Sequence, residues 1–138
     1  MRDIQQWDAV KKTTLTASGG ATPSVTGEYC DFAEVDSNFS LVLINAGDST
    51  SLTVTYQLGY LADGVTEHQA KSDPSTYITW MTPADGGAVA TMTAVDINAS
   101  VIHASLTLAV AKFYRFTITN NDAVNGADSV KLIMIAQF

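Results

Sequence analysis

Apolar and polar residues alternate with a period of two over most of the chain. The clearest case is the segment 51–60, in which Leu52, Val54, Tyr56 and Leu58 alternate with small or polar residues. Because successive side chains of a strand point to opposite faces of a sheet, this pattern predicts a half-buried β-strand. Strand patterns lie at 10–17, 25–32, 39–44, 51–60, 76–82, 88–95, 99–104, 112–119 and 128–138.

Two of these segments are apolar on both faces. In 39–44 the only polar residue is Ser40, and in 128–138 the residues Ile133 and Ile135 make the second face apolar as well. In an antiparallel sheet with one solvated face, a strand is normally apolar only on the face that packs on the core. Both segments are therefore predicted to be central strands, and the alternative for the last one is that a partner covers it.

A turn sequence, Asn45-Ala46-Gly47-Asp48, follows the first of these central segments. Asn, Gly and Asp favour turns because they tolerate left-handed backbone conformations. The segments 39–44 and 51–60 are therefore predicted to form an antiparallel hairpin, with residues 45–50 as the connection.

The fold class follows from the number and spacing of these strands. No window supports an amphipathic helix longer than about two turns, and turn residues recur between short strands. The predicted fold is all-β, a two-sheet antiparallel sandwich of the jelly-roll kind with about eight strands. Residues 13–138 are predicted to be a single domain, and residues 1–12 an N-terminal arm or short helix.

Charge restricts the partners of this domain. Charged residues make up 15% of the chain, against ~25% in an average protein, and the net charge is −7. Seven Lys and Arg residues are scattered, and the largest cluster is Lys11-Lys12. Nucleic acids and anionic membranes bind clustered cations, so neither is an expected partner. A surface rich in Thr, Ser and Ala is instead suited to burial against another protein.

Candidate chemistry is sparse. Cys30, His68 and His103 are the only cysteine and histidine residues, too few for a structural zinc site. No Gly-x-Ser-x-Gly elbow or phosphate-binding glycine loop occurs. We therefore expect a protein without enzymatic activity and without a cofactor. The oxygen-rich loop Asn120–Asp128 favours a turn in which Asn, Asp and Gly adopt left-handed backbone conformations, with a calcium site as the alternative.

Targeting sequences are also not evident. The N-terminal residues lack the apolar run of a secretory signal, and no stretch approaches the ~18 apolar residues of a membrane span. The expected place of synthesis and assembly is the host cytoplasm.

The aromatic residues allow two interpretations. Core packing is favoured, because several rings occupy the apolar phase of their strands. The alternative is a sugar-stacking platform, as in a carbohydrate-binding module. Trp7 lies outside the clear strands and could instead contact a neighbouring subunit. The residues concerned are Trp7, Tyr29, Tyr56, Tyr60, Tyr77 and Trp80.

One part of the sequence resembles a known family. It consists of the strand Tyr114–Asn120, a polar loop, Ala127-Asp128 and the residues Ala136-Gln137-Phe138. Together with Leu52–Tyr60 and Ala62-Asp63-Gly64, it resembles small β-sandwich virion proteins of tailed bacteriophages. These include capsid decoration (cement) proteins and small tail or head-fibre components. The resemblance implies a non-enzymatic module located in the virion, which binds the major capsid protein or other virion proteins as a homo-oligomer such as a trimer.

We predict that contacts with partners involve Ile4, Trp7, Ile133 and Ile135. Ile4 and Trp7 precede the clear strands, and Ile133 and Ile135 form the second apolar face of the last strand. The leading hypothesis is a capsid decoration protein on the outer capsid surface. The alternatives are a module that binds carbohydrate or a host receptor, and a tail or head-fibre component.

Overall fold

The structure is a computed structural model. It describes residues 4–17, 19, 23–31, 39–45, 49–84, 86–92, 100–104 and 112–137. The parts of the predicted strands that fall at residues 32, 93–95, 99 and 138 lie outside the described residues.

The described residues form ten strands and two short helices. The strands are β1 (Ile4–Leu15), β2 (Ser24–Thr26), β3 (Cys30–Asp31), β4 (Phe39–Ile44), β5 (Leu52–Leu61), β6 (Ile78–Met81), β7 (Ala88–Met92), β8 (Ser100–Ala104), β9 (Phe113–Asn120) and β10 (Ala127–Gln137). The helices are α1 (Glu67–Ser72) and α2 (Pro74–Tyr77), both between β5 and β6.

The strands form two antiparallel sheets. Sheet A has the order β1-β10-β4-β8, and sheet B has the order β2-β9-β5-β6. Two further short strands extend the edges of sheet B: β3 pairs with β9 beyond β2, and β7 pairs with β5 beyond β6. Each sheet therefore has four strand positions, and both outer positions of sheet B are divided between two short strands.

The chain alternates between the sheets in the order of a jelly roll. With each divided edge counted as one position, the eight positions run 1-8-3-6 in sheet A and 2-7-4-5 in sheet B. Jelly rolls are eight-stranded sandwiches of two Greek keys. The prediction of an all-β two-sheet sandwich is confirmed.

The main core lies between the sheets and is built by alternate residues. In β5 the buried residues are Leu52, Val54 and Tyr56, as the alternation predicts. Facing them from sheet A are Leu132 and Met134 of β10. Full burial of such side chains contributes about 1.5–3 kcal/mol each. The other members of this core are Ala9, Val10, Leu15, Leu41, Leu43, Tyr114, Phe116, Ile118, Ala127 and Val130.

A second, smaller apolar cluster lies on the outer face of sheet B. It is centred on Phe113, Ala70 and Ile78, with Tyr29, Leu61, Tyr77 and Trp80 packed against it. Helices α1 and α2 cover this end of the outer face. Outward-pointing residues of the sheet are therefore buried here, as well as inward-pointing ones. Phe113 is therefore as deeply buried as Phe116, although it points to the opposite face of β9.

Helix α1 begins with a capping box. The backbone N–H of Gln69 donates to the Thr66 hydroxyl at 3.2 Å, and the backbone N–H of Thr66 donates to Gln69 Oε1 at 2.9 Å. This pairing satisfies two donors that the first helical turn leaves free. An ion pair between Glu67 and Lys112 joins the helix to the start of β9.

The predicted hairpin between 39–44 and 51–60 is wrong. Strand β4 lies in sheet A between β10 and β8, whereas β5 lies in sheet B between β9 and the edge formed by β6 and β7. The connection crosses from one sheet to the other. A turn sequence between two alternating segments fits a crossover as well as a hairpin, so the local pattern did not distinguish them.

The predicted boundary between an arm or short helix at 1–12 and a domain from residue 13 is corrected. From Ile4 onward the described part of this segment belongs to β1, which pairs with β10 as far as Leu15. The pairing shifts register between Asp8 and Val10, so Ala9 and Val10 are both buried. Such a bulge interrupts the period-two pattern, so the alternation predicts the strand only from residue 10 and not from Ile4.

The predicted strand at 25–32 is also interrupted within its described part. Strand β2 ends at Thr26 and β3 begins at Cys30, and both pair with β9. The residues between them leave the ladder and contribute to the site described next.

Candidate functional site

A cleft of about 470 Å³ opens on the outer face of sheet B, beside the second cluster. The break between β2 and β3 forms one wall, the start of α2 forms another, and side chains of β6 and β9 form the floor. Its lining residues are Gly27, Glu28, Tyr29, Pro74, Ser75, Trp80 and Arg115.

Gly27 fixes the position of the first wall. Its backbone N–H donates to the carbonyl of Phe116 at 2.9 Å, while its Cα lies against the backbone of β1. A Cβ built on Gly27 would overlap the carbonyl oxygen of Ala9. A glycine is therefore required by close backbone approach. The approach holds Glu28 and Tyr29 at the cleft.

The floor is an arginine stacked on a tryptophan. The guanidinium carbon of Arg115 lies 4.5 Å from the centroid of the Trp80 ring, within the range of a cation–π interaction. Its Nε donates to Gln57 Oε1 at 2.8 Å. Partial burial lowers the pKa of Arg115 from its ordinary value, but the group remains charged at physiological pH.

Gly59 makes room for this stack. It lies opposite Trp80 in the β5–β6 register and opposite Phe113 in the β5–β9 register. A Cβ at Gly59 would lie 2.9 Å from Trp80 Cζ3 and 2.9 Å from Phe113 Cβ. The absence of a side chain there allows the Trp80 ring to lie close to the sheet.

Tyr29 and Glu28 complete the wall with different properties. The Tyr29 ring packs edge-to-face on Phe113, with centroids 5.6 Å apart and an interplanar angle of 81°. The Glu28 carboxylate lies 3.5 Å from Lys11 Nζ, and both side chains are more than three-quarters exposed. An exposed pair of this kind contributes little to stability. Glu28 can therefore exchange this contact for another.

The outer face of sheet A differs from that of sheet B. On sheet B, away from the second cluster, the outward residues of the central strands include four threonines, in the cross-strand pairs Thr53–Thr119 and Thr55–Thr117. On sheet A the corresponding residues are aliphatic except for Ser40 and Lys131, which lie opposite Ile135 and Ile44. This outer aliphatic face consists of Val42, Ile44, Ile133 and Ile135.

Its geometry follows from the register of β10 and β4. Ile133 lies opposite Val42 and is 8% exposed, whereas Val42, Ile44 and Ile135 are half-buried. Two charged residues border the face: exposed Asp8 lies opposite Ile133 on β1, and Lys131 lies opposite Ile44. The sheet therefore presents a row of apolar side chains outward from its centre.

The four residues predicted to contact partners do not all lie together. Ile4, Ile133 and Ile135 point to the outer face of sheet A, and Ile4 is 67% exposed. Trp7 belongs to β1 opposite Met134 and packs against the main core. The strand thus places Trp7 on the opposite side of sheet A from the other three.

The loop after β9 is organised by Asn120, which is fully buried. Its Nδ2 donates to the carbonyls of Thr16 and Asn125 at 2.8 and 3.1 Å. Its Oδ1 accepts from the Ser49 hydroxyl at 2.7 Å and from the backbone N–H of Asp122 at 3.1 Å. One side chain therefore joins β9 to three other segments of the chain.

Asp122 closes the same loop. One carboxylate oxygen accepts from the backbone N–H groups of Val124 and Asn125, and the other accepts from the backbone N–H and hydroxyl of Thr50. The backbone donors, with Thr50 first, hold the pKa of Asp122 well below its usual range. These contacts hold the segment after β9 as a hydrogen-bonded turn.

Acid should therefore weaken this loop. Because the pKa of Asp122 is lower in the folded than in the unfolded protein, its stabilising effect is complete above the ordinary carboxyl pKa and is lost as pH falls below about 4. We expect the melting temperature of Asp122→Asn to be lower at neutral pH and to fall less than that of the wild type between pH 5 and pH 2.5.

A matched control is Asp63→Asn, whose exposed side chain makes no hydrogen bond to the part of the chain that the structure describes. Its melting temperature should follow the wild-type pH curve. A parallel acid response in Asp122→Asn and the wild type would contradict the role given to Asp122.

The remaining candidate residues are not brought together. His68 is exposed on α1, His103 lies on β8 opposite Leu41, and Cys30 lies on β3 opposite Tyr114. Within the described ranges, no three His, Cys, Asp or Glu residues lie close enough to hold a metal ion. Among the same residues, no helix has the length and apolar character needed to cross a membrane.

Sequence reasoning did not find the cleft. Glu28 and Arg115 are 87 positions apart in the chain, counted from their numbers, and no motif connects them. One signal was present: Arg115 is the charged residue of β9, and it lies between two aromatic residues, Tyr114 and Phe116. Trp80 was considered as a sugar-stacking residue, but core packing was favoured for it.

Comparisons with known proteins identify no family for this chain. No family model matches the chain, and no match was found among the curated proteins. A solved structure described as "Crystal structure of PirA" is 14% identical, with 98% of this chain and 93% of that chain covered and a TM-score of 0.39. A likeness this weak carries no argument about function.

Proposed function

We propose that this protein is a non-enzymatic virion accessory protein, a capsid decoration protein that binds the outer capsid surface as a homo-oligomer. The observation that carries the proposal is the outer aliphatic face of sheet A. The jelly-roll strand order supports it, since this architecture is used in viral capsid domains.

The contrast between the two outer faces is the main argument. Sheet B shows how this chain builds a solvated face, with threonines such as Thr55 and Thr117. Sheet A places Val42 and Ile133 at the equivalent central positions. Because a solvated antiparallel face is normally polar, an aliphatic one favours coverage by protein. We assign this face to contact between copies of the chain.

Composition is consistent with burial of a wide surface. Only 15% of the residues are charged, so association leaves few charges without water or a partner. Stranding a charge in an interface is costly, and interface centres are depleted in charged residues. The net charge of −7 also suits an outer surface rather than contact with packaged DNA.

Placing a charge on this face should prevent assembly. We expect Val42→Lys to weaken self-association by about a hundredfold, because the ammonium would be buried without a partner. Sedimentation velocity over a concentration series measures the association. The matched control is Thr55→Lys, an outward residue of a central strand in sheet B, which should assemble like the wild type.

Melting curves of both variants establish that they fold. A folded Val42→Lys that assembles like the wild type would exclude the outer aliphatic face as the interface. A wild type that stays monomeric at micromolar concentration would reject the oligomer.

Imaging of virus particles that contain this chain tests the location. The proposal expects density for the jelly roll on the outside of the capsid, attached to the major capsid protein. Density confined to a tail tube or fibre would retain a virion role and reject decoration.

A further inference from the structure

We infer that the cleft on sheet B is a carbohydrate-binding site that takes a neutral pyranose unit of a glycan. The inference rests on side chains that the proposed assembly face does not use. The cleft volume of about 470 Å³ lies within the ~300–1,000 Å³ of small-molecule sites.

The polar groups of the cleft match a polyhydroxylated ligand. Arg115 uses Nε on Gln57, and its two terminal nitrogens donate to no other described residue. The contact with Trp80 and the bond to Gln57 restrict this guanidinium, so its position is set before a ligand arrives. A planar guanidinium can donate to two adjacent oxygens, which suits vicinal hydroxyls.

Glu28 supplies the complementary acceptor. Its carboxylate lines the same cleft, and its contact with Lys11 is exposed. A sugar hydroxyl both donates and accepts, so it can bond to a carboxylate and a guanidinium at once. The cleft also holds the Ser75 hydroxyl, which donates to Asp73 Oδ1 at 2.9 Å and remains able to accept.

Apolar surface is present beside these groups. The rings of Tyr29 and Pro74 line the cleft, next to the stacked side chains of Arg115 and Trp80. The edge-to-face contact with Phe113 keeps Tyr29 in place. A pyranose has a C–H face and a hydroxyl rim, so it can pack against such surface while its hydroxyls reach the charged groups.

Charge balance distinguishes a neutral sugar from an ion. The cleft contains one carboxylate, Glu28, and one guanidinium, Arg115. A phosphate or carboxylate ligand would be attracted by Arg115 and repelled by Glu28, and a cationic ligand the reverse, so the opposite charges give neither kind of ion a large net attraction. A neutral polyol avoids both penalties.

The position of the cleft leaves it accessible in an assembly. It lies on the outer face of sheet B, whereas the outer aliphatic face lies on sheet A, on the opposite side of the sandwich. Copies that associate through sheet A therefore keep the cleft open. The carbohydrate inference also stands for a monomer, so its failure would not affect the proposed assembly.

The test uses the full chain with defined sugars. Glucose, galactose, mannose, N-acetylglucosamine and their disaccharides are titrated to millimolar concentrations, with inorganic phosphate as the anionic probe. Saturation-transfer NMR detects contact, and tryptophan emission reports on the cleft. The chain has two tryptophans, so Trp7→Phe leaves Trp80 as the sole emitter.

The inference expects at least one sugar to bind and to change the emission of wild type and Trp7→Phe. Glu28→Gln and Arg115→Lys should each lower the affinity for that sugar by about tenfold, since each variant loses a charge-assisted or bidentate contact. Lys11→Gln is the matched control. It removes the ion-pair partner of Glu28 but no lining residue, so affinity should stay within about twofold.

Three results would overturn the assignment. The first is that no sugar of the panel binds. The second is that a sugar binds with equal affinity to wild type, Glu28→Gln and Arg115→Lys, which would place it elsewhere. The third is binding of phosphate without binding of any sugar. Because Glu28 is exposed, Glu28→Gln retains the fold and keeps the test decisive.

Discussion

Gly27→Ala is expected to lower the free energy of unfolding by about 3 kcal/mol. The new Cβ would overlap the carbonyl oxygen of Ala9 and lie 2.9 Å from its carbonyl carbon. Both atoms belong to the backbone of β1, so no rotamer change relieves the overlap. Either β1 or the segment after β2 must move, and the bond from the Gly27 N–H to the carbonyl of Phe116 must stretch. Urea unfolding followed by circular dichroism measures the loss.

The control for this change is Gly64→Ala. Gly64 has φ of +84°, and a Cβ there would meet no atom within 4 Å. Its substitution introduces backbone strain of about 1 kcal/mol without a collision. Equal losses for the two variants would show that close packing of Gly27 on β1 does not limit stability. Gly27→Ala should also displace Glu28 and therefore weaken the binding of any ligand in the cleft.

Asn120→Ala is expected to lower the free energy of unfolding by about 3 kcal/mol, and the melting temperature by roughly 10 °C. The side chain is buried and makes four hydrogen bonds. Alanine would leave the carbonyls of Thr16 and Asn125 and the hydroxyl of Ser49 without this partner. Each buried polar group left unsatisfied costs about 1–3 kcal/mol. Thermal and urea unfolding measure the effect.

The neighbouring Asn121→Ala is the control. Asn121 is exposed, and its Nδ2 donates to Thr53 Oγ1 at 3.2 Å. A surface substitution of this kind costs under about 0.5 kcal/mol. A double variant, Ser49→Ala with Asn120→Ala, should lose less free energy of unfolding than the sum of the two single variants, because the two side chains are hydrogen-bonded to each other. An additive result would contradict a shared network.

The sequence of the helical region contains two helix signals. Thr66 and Gln69 have the spacing of a capping box, and Pro74 suits the first turn of a helix. Together they mark the polar stretch between β5 and β6 as two short helices. What no local signal shows is that these helices cover Phe113 and Ile78 on the outer face of sheet B.

The sequence by itself determined the strands that keep a strict period of two. Leu52, Val54 and Tyr56 alternate in the sequence and alternate in burial, because side-chain direction in a strand is set by the strand itself. The apolar character of both faces of β4 and β10 likewise predicted central positions, and both strands have neighbours on each side.

The tertiary structure alone decided which strands meet. The pairing of β1 with β10 joins the first and last strands, and the register shifts near Val10 arise from that pairing. The crossing from β4 to β5, and the meeting of Glu28 with Arg115 at one cleft, have the same origin. Alternation is a property of one strand and its solvent, whereas pairing depends on how two sheets close over a shared core. That closure is a long-range event that no window of the sequence contains.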